Sequence, residues 1–148
     1  MTDKVTVERV IIRRLAPGKD LLDELTRLVR AEDVRLGALA GIGALTKGAV
    51  GIFDQAKGEY VTRRFDEEME ICALAGNVSL KDGQPFVHAH LTLADKKLVA
   101  YGGHMMPGNI IFVAEVTIWA LGGATLVRAA DAACGGLAVW ALENVGVE

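Results

Sequence analysis

Apolar residues recur at helical spacing most clearly in one segment of this chain, residues 19–32. There Leu21, Leu22, Leu25, Leu28 and Val29 share a side, while Asp20, Asp23 and Glu24 occupy the first turn, where the helix dipole favours acids. Most of the remainder follows strand logic instead, in short β-branched and apolar runs punctuated by Gly, Pro and Asp. A first strand is expected over residues 4–15, closed by Pro17-Gly18. Two more, 36–44 and 48–54, flank a glycine-bearing bend at Gly41-Ile42-Gly43, and further strands are expected over 60–65, 69–80, 86–94, 98–104, 110–121 and 125–129. The tail, 130–142, carries alanines that favour helix and a Gly135-Gly136 pair that interrupts one. One dominant sheet with few helices makes the class α+β. A chain of 148 residues without repeat or linker reads as one domain, residues 1–148.

Residues 110–127 form a long apolar run, but Glu115 lies near its centre, Gly122-Gly123 breaks it, and β-branched residues dominate. A charged group at mid-span costs about 2.5–3.5 kcal/mol on insertion, so the run reads as two buried strands and a turn, with no membrane span. The residues AVILMFWYC nonetheless make up 51% of the chain, before 17 glycines are counted. Mean hydropathy is +0.31, an excess that points to a subunit interface. A net charge of −3 gives no general attraction to nucleic acid or anionic membrane. The chain opens into a strand pattern without an apolar leader, and it has only two cysteines, so the expected compartment is the cytoplasm. Cys72 and Cys134 are too far apart in sequence for a close-spaced ligand pair and are expected as small buried hydrophobes.

All three histidines fall within residues 88–104. His88 and His90, two apart on an apolar strand, project to one face. Asp95-Lys96-Lys97 supplies a turn, and a hairpin centred on Lys96 sets His104 directly opposite His88 and diagonal to His90. Direct cross-strand Cβ separations of about 5 Å, and diagonal ones of about 7 Å, let three rings share one ion. A turn one residue longer or shorter would send His104 to the other face. Three imidazoles suit zinc, with Ni, Co or Fe also compatible, and leave a position for water or substrate, as catalytic zinc sites do.

Several short motifs, in order, carry a resemblance. Leu39-Ala40-Gly41-Ile42-Gly43-Ala44-Leu45 precedes Gly51-Ile52-Phe53 and Glu70-Ile71-Cys72-Ala73-Leu74-Ala75-Gly76-Asn77. His88-Ala89-His90, Leu93-Ala94-Asp95, Gly102-Gly103-His104 and Glu115-Val116 follow. Together, over about residues 5–140, they resemble the PPC domain shared by plants and prokaryotes. The resemblance implies an antiparallel sheet and a homotrimer, with His88, His90 and His104 as metal ligands. It also implies a fold similar to acetolactate decarboxylase, a zinc lyase whose metal is held by three histidines. Plant members carry an AT-hook for DNA; here none of Pro17, Pro85 or Pro107 follows an arginine, so that element is missing.

Two classes of function follow. In the first, a metal-dependent lyase or hydrolase acts on a small polar or carboxylate substrate, with Glu115 as acid/base, shifted towards neutral pKa by an apolar strand. Its alternative role is a buried ion pair, with Arg128 or at the trimer interface; Glu70 and Asn77 are further candidates. Gly102 and Gly103 would let the backbone approach an ion or ligand. In the second class, the chain is a non-catalytic trimeric module associated with DNA or transcription. Acidic charge argues against direct DNA contact, although Arg63-Arg64 and Arg13-Arg14 offer local basic pairs.

Overall fold

The computed structural model describes residues 4–141. Nine strands and one α-helix follow in the order β1 (Thr6–Arg14), α1 (Leu21–Ala31), β2 (Gly37–Asp54), β3 (Glu59–Phe65), β4 (Met69–Lys81), β5 (Gln84–Ala94), β6 (Ala100–Met105), β7 (Ile110–Gly122), β8 (Arg128–Asp131) and β9 (Leu137–Trp140). The helix lies where its periodicity put it. Asp20 caps it by accepting from the backbone N–H groups of Leu22 and Asp23, and its second carboxylate oxygen accepts from Gly108 N–H at 2.7 Å. That link ties the helix start to the loop before β7. Leu21, Leu25, Leu28 and Val29 are buried, each worth about 1.5–3 kcal/mol of apolar transfer.

The main sheet runs β1-β7-β2-β4-β5-β6, with β3 also on β2, and every pairing is antiparallel. Its far edge returns on itself: Val50 and Gly51 of β2 pair with Met105 and His104 of β6. Strands β2, β4, β5 and β6 thus form a closed loop around a core that includes Leu39, Leu45, Met69, Leu74, Val87, Leu91, Leu93, Met105 and Ile118. Where the sequence reads two strands around a bend, β2 is one strand of 18 residues. Strands β4 and β7 grip it on both sides, so Gly41-Ile42-Gly43 appears only as a shift of register against β4. Wholly buried Asn109 pins the loop before β7 by accepting from Ala49 N–H and donating to the carbonyls of Ala49 and Met106.

The apolar run 110–127 yields β7 alone, with no helix among the described residues long and apolar enough to cross a membrane. The ambiguous tail forms the β8–β9 hairpin around a short 3-10 turn, Ala132–Cys134; residue 142, its last, lies outside the described residues. Neither cysteine is buried: Cys72 and Cys134 are both free and exposed, Cys72 because it falls on the outer side of β4 where the register against β5 shifts.

Candidate metal centre

Odd-numbered residues of β5 from Val87 to Leu93 face the core, so His88 and His90 stand on the outer face of the sheet. Cross-strand pairing arranges that face in rows. Trp119, Ala38, Asn77 and His88 make one row, and Thr117, Ala40, Ala75, His90 and His104 the next. The expected pairing is corrected in one respect: His104 lies opposite His90, not His88, because the hairpin is centred on Lys97. The loop grows by two residues rather than one, which preserves parity and therefore the face. Asp95 builds the longer loop by accepting from the N–H groups of Lys97 and Val99 and from the Tyr101 hydroxyl, while Leu98 adopts a left-handed φ of 63°.

Ligand atoms of His88, His90 and His104 all lie within 4.8 Å of one another. The ring centroids are 5.3 Å apart for His88 and His90, 5.1 Å for His88 and His104, and 5.5 Å for His90 and His104. A tetrahedral zinc with Zn–N of about 2.0 Å holds its donors roughly 3.3 Å apart, so small side-chain rotations complete the fit. The electrostatics fit as well. Burial, aided by the charge of Arg128 and the neighbouring imidazoles, pushes His88 down to about 4, and burial with His90 and Arg128 lowers His104. Both rings are therefore neutral and able to donate lone pairs near pH 7. His104 Nδ1 is buried without a hydrogen-bond partner among the described residues, a polar atom that a cation would satisfy.

Gly103 explains how β6 comes to carry His104 here. A Cβ on Gly103 would lie 2.5 Å from the Gly51 carbonyl oxygen, so the bare backbone permits the β2–β6 closure. The close approach is thus to β2, in place of the ion or ligand expected from sequence. Gly102, with only ordinary contacts around its missing Cβ, is not needed for that closure.

Two further side chains frame the centre. Tyr60 of β3 sits with its ring centroid 4.8 Å from that of His104, a contact that no sequence spacing signals. Arg128 of β8 brings its Nη2 to 2.6 Å from Asn77 Oδ1 and 3.4 Å from His88 Nδ1. Arg128 is buried as the ion-pair reading required, but its partners are these groups and not Glu115. Asn77, a candidate from sequence, is linked to the centre through it, whereas Glu70 lies opposite Ala94 at the far end of β5.

Glu115 is on the same outer face, on β7, but it is exposed rather than desolvated. Its cross-strand neighbours are Arg14 and Ile42. Strands β2 and β4 stand between it and β5, about 14 Å at 4.8 Å per strand, so one chain does not bring Glu115 to its own histidines.

A family model described as the Plants and Prokaryotes Conserved (PCC) domain matches residues 2–122. Among solved structures, the chain is similar to a plant- and prokaryote-conserved (PPC) protein of Pyrococcus horikoshii, with 32% identity, TM-score 0.91, and coverage of 98% of this chain and 99% of that one. It is also similar to a metal-containing protein from Archaeoglobus fulgidus, with 33% identity, TM-score 0.88, and coverage of 95% and 99%. A Staphylococcus aureus protein similar to alpha-acetolactate decarboxylase shares the fold at TM-score 0.53 and 15% identity, covering 76% of this chain and 52% of that one. A curated relative, the bifunctional protein GlmU of Synechococcus, is 38% identical over 107 residues, 71% of this chain but 16% of that protein, so the chain spans only a small part of its length.

Proposed function

Because the chain belongs to the Plants and Prokaryotes Conserved domain family, we propose that it works as a cytoplasmic homotrimer whose His88, His90 and His104 hold a zinc-type ion for lyase or hydrolase chemistry on a small polar or carboxylate substrate. The observation that carries this reading is the convergence of three imidazoles on an outer sheet face, where a substrate can reach them. A bound divalent ion would supply Lewis acidity, polarising a carbonyl or carboxylate oxygen or acidifying water. The metal-containing relative from Archaeoglobus fulgidus supports the ion.

The chain's own residues divide the remaining work. His90, the exposed ligand, faces solvent, while Arg128 holds His88 and Asn77 from the side. Trimer formation is supported by the same outer face, where Val10, Ile12, Ile42 and Phe112 are all at least half exposed beside the small residues Ala38, Ala40 and Ala75. A surface that apolar is a normal signature of subunit contact. Glu115 borders this patch, and its role as acid/base depends on delivery to the histidines of a neighbouring chain. Two free cysteines suit a reducing compartment.

Elemental analysis of the purified protein combined with light scattering tests the proposal. One zinc-type ion per chain and a mass three times the 15.7 kDa chain are expected. A metal-free monomer at micromolar concentration would refute both parts.

A further inference from the structure

Arg128 is only 7% exposed, and all its hydrogen-bond partners among the described residues are formally neutral. Nε donates to Ser79 Oγ at 2.9 Å, Nη1 to the Ala138 carbonyl at 3.2 Å, and Nη2 to Asn77 Oδ1 at 2.6 Å, with His88 Nδ1 3.4 Å away. The rings of Phe86 and Trp140 lie 5.8 and 5.5 Å from its guanidinium carbon. None of the ion pairs among the described residues includes Arg128. A buried guanidinium without a carboxylate is costly to keep, and the usual compensation is a counter-ion. Here the charge sits beside the three clustered histidines, 3.4 Å from His88 Nδ1. Adding a divalent ion to them brings three positive charges together, with no anionic side chain among the ligands.

We propose that Arg128 makes this centre select a small carboxylate anion over a neutral molecule of the same shape. The inference rests on the metal reading above but assigns a separate function to a separate element. Arg128 is carried by the β8–β9 hairpin, beyond the residues 2–122 that match the family model. With His88 Nδ1 as an acceptor, the contacts named use four of the five N–H groups of the guanidinium, and the fifth, on Nη1, has no partner among the described residues. One N–H and one diffuse charge suit a monoanion, whereas a phosphate dianion would bring more acceptor oxygens than the side chain can satisfy. Trp140 donates to the same Ser79 hydroxyl that receives Arg128, at 3.0 Å, so both strands of the hairpin hold the guanidinium in place.

Cobalt(II), which reports its ligands in the visible spectrum, tests the proposal without a known substrate. The cobalt-loaded full chain is titrated with acetate, acetamide and inorganic phosphate, alongside Arg128→Gln and Arg128→Lys. Expected are acetate binding at least tenfold tighter than acetamide, a loss of at least tenfold in acetate affinity for Arg128→Gln at unchanged cobalt stoichiometry, and retention within about threefold for Arg128→Lys. Unchanged acetate affinity in Arg128→Gln would overturn the role of Arg128 and leave the metal site standing. Equal losses in both variants would overturn it too, by assigning the effect to the shape of the hairpin. Loss of cobalt from Arg128→Gln would make the arginine a ligand-positioning residue instead, and phosphate binding tighter than acetate would overturn the carboxylate assignment. Failure of the unaltered protein to take up cobalt would refute the metal reading itself and this inference with it.

Discussion

Replacing His90 by Ala separates metal binding from folding more cleanly than any other change in this chain. His90 is exposed, and its side chain makes no hydrogen bond among the described residues, so truncation removes little that the metal-free fold relies on. Surface changes of this kind stay within about 0.5 kcal/mol. For a chain of this size that moves Tm by no more than about 2 °C. The metal-bound form behaves differently. Free zinc at a thousand times its Kd stabilises the native state by about 4 kcal/mol, which corresponds to a rise of about 12–16 °C. Thermal melts with a chelator and with excess zinc, for the unaltered chain and for His90→Ala, yield four Tm values. The two chelated samples should coincide, and only the unaltered chain should rise with zinc. Equal zinc-induced shifts in both proteins would refute the three-histidine site, and a large drop in the chelated variant would show that His90 supports the fold itself.

The remaining predictions concern the supports of the site. In the metal-free protein, His88 titrates near 4 when folded and near its ordinary 6.5 when unfolded, so between those values the unfolded chain binds more protons and stability rises with pH. Stability should therefore be full above about pH 6.5 and fall by roughly 2 kcal/mol towards pH 4, allowing for screening of a half-buried ring; denaturant melts of His88→Gln that keep the full slope would assign it elsewhere. Asn109→Ala leaves the N–H of wholly buried Ala49 without its side-chain partner and its C=O on a long 3.4 Å bond from Met106 N–H, and should cost about 3 kcal/mol, read as a Tm lower by about 10 °C; a loss under 1 kcal/mol would contradict the pinning role. Gly103→Ala forces a Cβ against the Gly51 carbonyl and should cost about 1–3 kcal/mol and weaken zinc binding, while Gly102→Ala, with room around it, should do neither; matching calorimetric titrations of the two would remove the close-approach argument.

What could be read from the sequence was whatever depends on local period. The helix was legible because its apolar stripe, acidic first turn and Asp20 cap agree. The histidine face was legible because a period of two survives an error of two in register, although the Asp95-capped loop and left-handed Leu98 moved the pairing itself. What escaped depends on partners distant in sequence. A glycine bend reads as the end of a strand unless one knows that β4 and β7 clasp it from either side. Arg128 could be seen as a buried charge, but its placement beside Asn77 and His88 is a tertiary fact. Glu115 shows the converse error: an apolar sequence neighbourhood does not bury a side chain whose face of the sheet is open.

The way β2 is shared has a consequence for how the molecule is made. This strand pairs with β3, β4, β6 and β7, and β7 in turn holds β1, so that Thr6 lies opposite Gly122. On a ribosome, the first strand and one side of the longest strand must wait unpaired until β7 emerges. Such non-local pairing is slow, in the millisecond-to-second range, and the waiting edges are open to association with other chains. The histidine hairpin is local, because β5 and β6 are adjacent in sequence, as are the β2–β3 and β4–β5 pairs. Its ligands can therefore meet early, and a nascent chain in the presence of zinc has a nucleus for its far edge before the near edge exists. Refolding monitored by stopped flow should accordingly be faster with zinc than with a chelator, and identical rates would place the β5–β6 pairing after the rate-limiting closure of the sheet.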